Sequence, residues 1–209
     1  LLTIGIFLLA SFFRLYGINW DQGQHLHPDE RFLTMVANGI SWPKDFGEYL
    51  DTAISPLNPH NRGFGFFVYG TFPVFFTKWV AESLGQGDYG NLTLIGRQIS
   101  AFTDLGTVLL VFLIAKMITT PPRWPAGTPR MVEESKKSNK NRLLDNWLIG
   151  LFAAFFYAAS VLPIQLSHFF AVDTYLTFFI TLSFYLLIKI IKTKPILNSN
   201  FLILNSLLG

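Results

Sequence analysis

The sequence predicts an all-α protein, a polytopic transmembrane helix bundle whose first outer loop carries juxtamembrane helices. Three observations predict it. Apolar residues make up 51% of the 209 and charged residues only 14%, a balance foreign to most soluble domains. The apolar residues gather in blocks approaching the roughly 20 residues that a helix needs to cross a hydrocarbon core. Lysine and arginine concentrate in two segments, while the long stretch between the first two blocks is acidic.

The first span is read over 1–17. It is short, and Leu1 already stands inside the apolar run with no Met before it, so the chain reads as cut from a longer one. Residues 18–96 form an outer loop with four bases (Arg31, Lys44, Arg62, Lys78) against eight acids. Spans follow at 98–118, 147–166 and 172–191, and a further segment begins at 201–209. The segment 119–145 holds Arg123, Arg130, Lys136, Lys137, Lys140 and Arg142 against three acids and is read as a cytoplasmic linker. Lys189, Lys192 and Lys194 follow the last span.

One further apolar block, 64–80, is broken by Gly65, Gly70, Pro73 and Lys78. If it crossed, the basic linker would face outward. It is therefore read as an interfacial helix with Tyr69 and Trp79 at headgroup depth. This topology places all four histidines, Asp29 and Asp173 on the outer side.

Cysteine is absent, which excludes a disulfide framework, a thiolate metal site and a cysteine nucleophile. The basic residues flank apolar blocks instead of forming one face, so a nucleic-acid partner is not expected.

The densest local feature is His25-Leu-His-Pro-Asp-Glu-Arg31. Pro28 suits the first position of a helix running to about Ile40. Asp29 and Glu30 then fall in its first turn, where a carboxylate gains from the helix dipole. They are either a pair that stabilises the helix or an ionised carboxylate suited to act as a base; spacing alone leaves both open. His25 and His27, with Asp29, could ligate a divalent metal; no other cofactor is indicated.

Asp173 closes the run His168-Phe-Phe-Ala-Val at the mouth of the last two spans. Arg97 and Asp104 share one face of the second span. Asp104 is read as a structural hydrogen-bonding group, and Arg97 as a guanidinium able to meet an anionic headgroup or a phosphate. Arg14 is read as snorkelling. Arg62, in Asn58-Pro-His-Asn-Arg-Gly-Phe-Gly-Phe66 and its continuation Phe67, is either a phosphate contact or an interface anchor.

The His-Pro-Asp-Glu-Arg segment, the Gly-Arg-Gln-Ile-Ser opening of the second span and Gln165-Leu-Ser-His-Phe-Phe-Ala-Val-Asp-Thr174 together resemble the N-terminal module of GT-C glycosyltransferases. The likeness is to bacterial members of the protein O-mannosyltransferase-like family 39 group. It implies inverting transfer of a sugar from a polyprenyl-phosphate carrier to an acceptor hydroxyl on a protein, lipid or glycan. It places the site on the extracytoplasmic face of a bacterial plasma membrane. Asp29 would be the general base, Glu30 its assistant and Asp173 a second acid. Arg62 and Arg97 would bind the donor phosphate, with Gly63 and Phe64 standing where relatives carry prolines. This piece alone is expected to be inactive. The competing classes are a transporter using Asp104 and Asp173, and a non-catalytic envelope scaffold.

Overall fold

Backbone order follows local chemistry closely at the start of the chain. The computed structural model describes residues 1–119 and 129–193. Helix α1 (Leu2–Leu15) is an apolar run that ends at Tyr16, after which Gly17 takes the left-handed φ of +69° that an L side chain rarely adopts. Helix α2 (Pro28–Gly39) begins at the proline expected to start it, and the His27 side chain caps it by accepting from the Glu30 N–H. Its inner face carries Leu33, Thr34, Val36 and Ala37. Helix α3 (Phe46–Leu50) is capped by Asp45, and a 3-10 turn covers Pro59–Arg62.

Helix α4 (Thr71–Ser83) starts later than the apolar block at 64, because Gly65 and Gly70 precede it and neither favours a helix interior. Helix α5 (Tyr89–Thr119) is the axis of the molecule. Asp88 starts it, its carboxylate accepting from the Asn91 N–H and its carbonyl from the Leu92 N–H. Helices α6 (Pro129–Ala158), α7 (Val161–Ser167) and α8 (Asp173–Thr193) complete the described chain. The segment read as a linker is thus helical from Pro129 onward. Residues 120–128 and the segment expected at 201–209 lie outside the described residues.

Helix α5 touches α1, α2, α4, α6, α7 and α8. Two apolar cores lie along it. Near its N-terminus Leu33, Val36, Ile40, Val74, Leu92, Ile95 and Phe170 pack together. Further along, Ala10, Val108, Phe112, Ala154 and Ala158 join α1, α5 and α6. Gly96 lets the Phe170 ring lie directly against α5, since a Cβ at that position would overlap the ring.

The described fold is helical throughout, but the polytopic four-span architecture is corrected. Among the described residues two helices, Tyr89–Thr119 and Asp173–Lys192, are long and apolar enough to cross a membrane by length and composition. Helix α1 has 14 residues, about 21 Å of rise against a hydrocarbon thickness of about 30 Å. The block read as a span over 147–166 breaks between Ala158 and Val161 with a bend of 60°, and adds a third only if both pieces count as one.

The interior also differs from that reading. It is organised around buried ion pairs, with Arg14 and Arg97 each fully enclosed. The multi-pass localisation rested on four apolar crossings and is corrected with them. The apolar surface itself is real: only 11% of the apolar window of α8 is buried, and Leu176, Phe179, Ile180, Phe184 and Leu187 are exposed.

Candidate functional site

Arg97 is the most heavily bonded side chain near the N-terminal end of α5. Its Nε donates to Glu30 Oε1 and its Nη2 to Glu30 Oε2, each at 2.7 Å. Its Nη1 and Nη2 donate to the two carboxylate oxygens of Asp21 at 2.9 Å, and Nη1 also donates to the Ile18 carbonyl at 3.0 Å. A guanidinium has five N–H donors, and all five are engaged here. The Trp20 ring lies over the same cation, 5.2 Å from its centroid. The Arg97 side chain is 0% exposed. The expected contact of Arg97 with a donor phosphate is therefore corrected: no donor and no open face remain.

Glu30 is turned inward by the same network. It is fully buried, and besides Arg97 it accepts from the Phe170 N–H at 2.8 Å. It joins the start of α2 to α5 and to the α7–α8 turn instead of assisting Asp29. Asp21 also accepts from the N–H groups of Gly23 and Leu26. The hydrogen bonds from Arg97 hold its carboxyl well down, at about 2, against the opposing effect of burial.

A second buried pair sits deeper. Arg14 Nε donates to Asp104 Oδ2 at 2.5 Å, and Tyr157 Oη donates to Asp104 Oδ1 at 2.7 Å. Arg14 Nη1 donates to the Ala158 carbonyl at 3.0 Å, so its charge caps the C-terminus of α6 where α6 and α7 part. Asp104 is structural, as its position in a span suggested. Arg14 does not snorkel, because a carboxylate and a helix end meet it inside.

Asp29, one residue before Glu30, points outward and is exposed. Tyr69 Oη donates to Asp29 Oδ1 at 3.1 Å. Burial pushes the Tyr69 phenol up, and the hydrogen bond to Asp29 and the charges of Asp29 and Asp173 push it further. Only Asp29 contacts the Tyr69 hydroxyl; Asp173, 144 residues further along the chain (173 − 29), adds its charge from the start of α8. Asp173 is exposed in the first turn of α8. Phe32 and Phe67 each lie 6.1 Å, ring to ring, from Tyr69. The sequence places Tyr69 only at headgroup depth, and no local spacing marks it as a partner of Asp29.

An apolar groove adjoins these acids. It encloses about 490 Å³ between α4, α5 and α8, with Phe72, Phe76, Phe102, Tyr175, Phe178 and Phe179 among its walls. Phe72 lies three residues after Tyr69, and Tyr175 two after Asp173, so two of its walls follow these residues closely along the chain.

The two histidines of the His-x-His segment do not converge. His27 Nδ1 accepts from the Glu30 N–H, and its ring stacks on Phe169. His25 instead meets Thr93 and Tyr89. Among the described residues no group of three or more His, Asp or Glu side chains gathers where a metal could be held, so the His25–His27–Asp29 metal reading is corrected. Arg62 remains exposed. It donates through Nε to the Gly39 carbonyl and through Nη2 to Ser41 Oγ, tying the 3-10 turn to the end of α2.

Compared with protein-family models, curated proteins and solved structures, the chain matches none. The resemblance to GT-C glycosyltransferases is corrected accordingly. Sugar transfer from a lipid-phosphate carrier is corrected with it: of the two arginines expected at the donor phosphate, Arg97 is locked between two carboxylates and Arg62 ties the 3-10 turn to the end of α2.

Proposed function

We propose that this chain is a helical module that binds a single-chain amphiphile with a cationic head group. The chain of the ligand lies in the α4–α5–α8 groove, and its head meets Asp29, Tyr69 and Asp173. One observation carries the reading: exposed Asp29, hydrogen-bonded by Tyr69, and exposed Asp173 lie within a few residues of Phe72 and Tyr175 in the wall of an aromatic groove. Two carboxylates favour a cation and repel a phosphate, and the nearby aromatic rings add a cation–π contribution. The exposed apolar side of α8 makes membrane lipid the natural source of such a ligand.

Calorimetric titration of the full chain with dodecylamine and with dodecyl sulfate tests it. Dodecylamine should bind more tightly by at least roughly tenfold, about 1.4 kcal/mol. Asp173→Asn and Phe102→Asp should each remove most of that preference by disturbing the head and the chain separately. Equal affinity for the two amphiphiles would sink the proposal.

A further inference from the structure

A small recess of about 200 Å³ lies between the loop after α1 and the start of α5, away from the groove. His25, Asp88, Asn91, Thr93 and Arg97 are among its walls. His25 is one of two non-glycine residues with positive φ among the described residues, at +51°. Its ring packs against Tyr89 with centroids 4.5 Å apart.

The protonation of that ring follows from a chain of hydroxyl groups. Thr34 Oγ1 lies 2.8 Å from the Glu30 carbonyl, which can only accept, so the single hydroxyl proton of Thr34 is directed there. Thr93 Oγ1, 2.9 Å from Thr34 Oγ1, must therefore be the donor to it. That leaves Thr93 Oγ1 as the acceptor for His25 Nδ1 at 3.0 Å. Nδ1 carries hydrogen, and in the neutral ring Nε2 keeps its lone pair. No protein group bonds Nε2 among the described residues.

The remaining side chains of the recess are short of donors. All five donors of Arg97 are engaged. Asn91 Nδ2 and the Asn91 N–H both donate to Asp88, whose exposed carboxylate is held below the usual range by those bonds. Apart from the exposed Asn19 amide and the second N–H of Asn91 Nδ2, the side chains present acceptors: His25 Nε2, the Asp88 oxygens and Asn91 Oδ1. The charge of Arg97 is outweighed by Asp21 and Glu30, and Asp88 adds another negative group.

We infer that this recess binds a small primary ammonium group, which donates to His25 Nε2 and to Asp88. An ammonium supplies three donors and a positive charge to a site that offers acceptors and a negative one. The site is independent of the amphiphile groove, and neither depends on the other being occupied.

Nitrogen-detected NMR of the full chain, labelled with 15N and held at pH 8.5, tests both steps. His25 should show a protonated Nδ1 and an unprotonated Nε2. Methylammonium chloride should shift the Nε2 signal saturably, and tetramethylammonium, which has the charge but no N–H, should not. Asp88→Asn should weaken the methylammonium response about tenfold, and Thr93→Ser, which keeps the hydroxyl, should preserve it. A protonated Nε2 in the wild type overturns the relay. Equal responses to the two cations, or none to either, overturn the ammonium site.

Discussion

Arg97 and Glu30 meet through two parallel hydrogen bonds of 2.7 Å, joining residues 67 positions apart with neither side chain exposed. Glu30 opens α2, Arg97 lies in the first third of α5, and the Glu30 carboxylate also holds the Phe170 N–H before α8. One carboxylate thereby fixes three parts of the bundle.

Removing one partner of a buried pair leaves the other charged and unpaired, which typically costs about 3–5 kcal/mol. Arg97→Met should therefore destabilise the chain by that order, because it strands Asp21 as well as Glu30. Arg97→Lys should recover little, since an ammonium cannot reproduce two bidentate contacts. Chemical denaturation of the three proteins under one condition reads the difference, and an Arg97→Lys variant as stable as wild type would contradict it.

Asp21 makes stability depend on acid. Its folded value of about 2 lies below the ordinary 3.8, so folding favours the ionised form. The contribution is fully present above pH 3.8 and is lost as pH falls from there through about 2. Its size is roughly 2 kcal/mol at one pKa unit per about 1.4 kcal/mol. Thermal melts at pH 5 and pH 2 should show a smaller drop in Asp21→Asn than in wild type, although the variant starts lower.

The Tyr157–Asp104–Arg14 cluster predicts a hierarchy. Tyr157→Phe removes one hydrogen bond to a charged acceptor, a loss of about 1.5–3 kcal/mol. Asp104→Asn strands a buried guanidinium and should cost more. A double-mutant cycle between the two positions should give a coupling above roughly 0.5 kcal/mol. Strict additivity would show that Tyr157 does not orient the pair.

Tyr69 should titrate late. Burial, the hydrogen bond to Asp29 and the two carboxylate charges all favour its neutral form. Folding thus favours the protonated phenol, a contribution present at neutral pH and lost as pH rises past the ordinary 10.0. Difference absorbance during alkaline titration should lose one component above 10.0 in Tyr69→Phe, and that component should move towards 10.0 in Asp29→Asn.

Gly96 is a packing requirement, not a turn. A methyl group there meets the Phe170 ring, which the surrounding core holds in place. Gly96→Ala should cost about 1–3 kcal/mol despite the gain in helix propensity. Gly96→Ala with Phe170→Leu should recover part of it.

The sequence by itself determined the helical class, the start of α2 at Pro28 with Asp29 in its first turn, and the long apolar α5 and α8. These follow from local rules: proline at a helix start, runs of apolar residues, and carboxylates placed at helix ends. Tertiary structure alone decided which charges are structural. Asp29 and Glu30 are neighbours in one helical turn, and nothing local says that Glu30 faces Arg97 while Asp29 faces Tyr69. That division depends on a guanidinium 67 residues away. Arg14 and Arg97 read as interfacial cations because an isolated arginine in an apolar run is costly to bury; their partners Asp104, Asp21 and Glu30 remove that cost only once the helices pack. The His25 relay is legible only in three dimensions for the same reason, since the proton assignment passes through Thr34 and Thr93, on different helices.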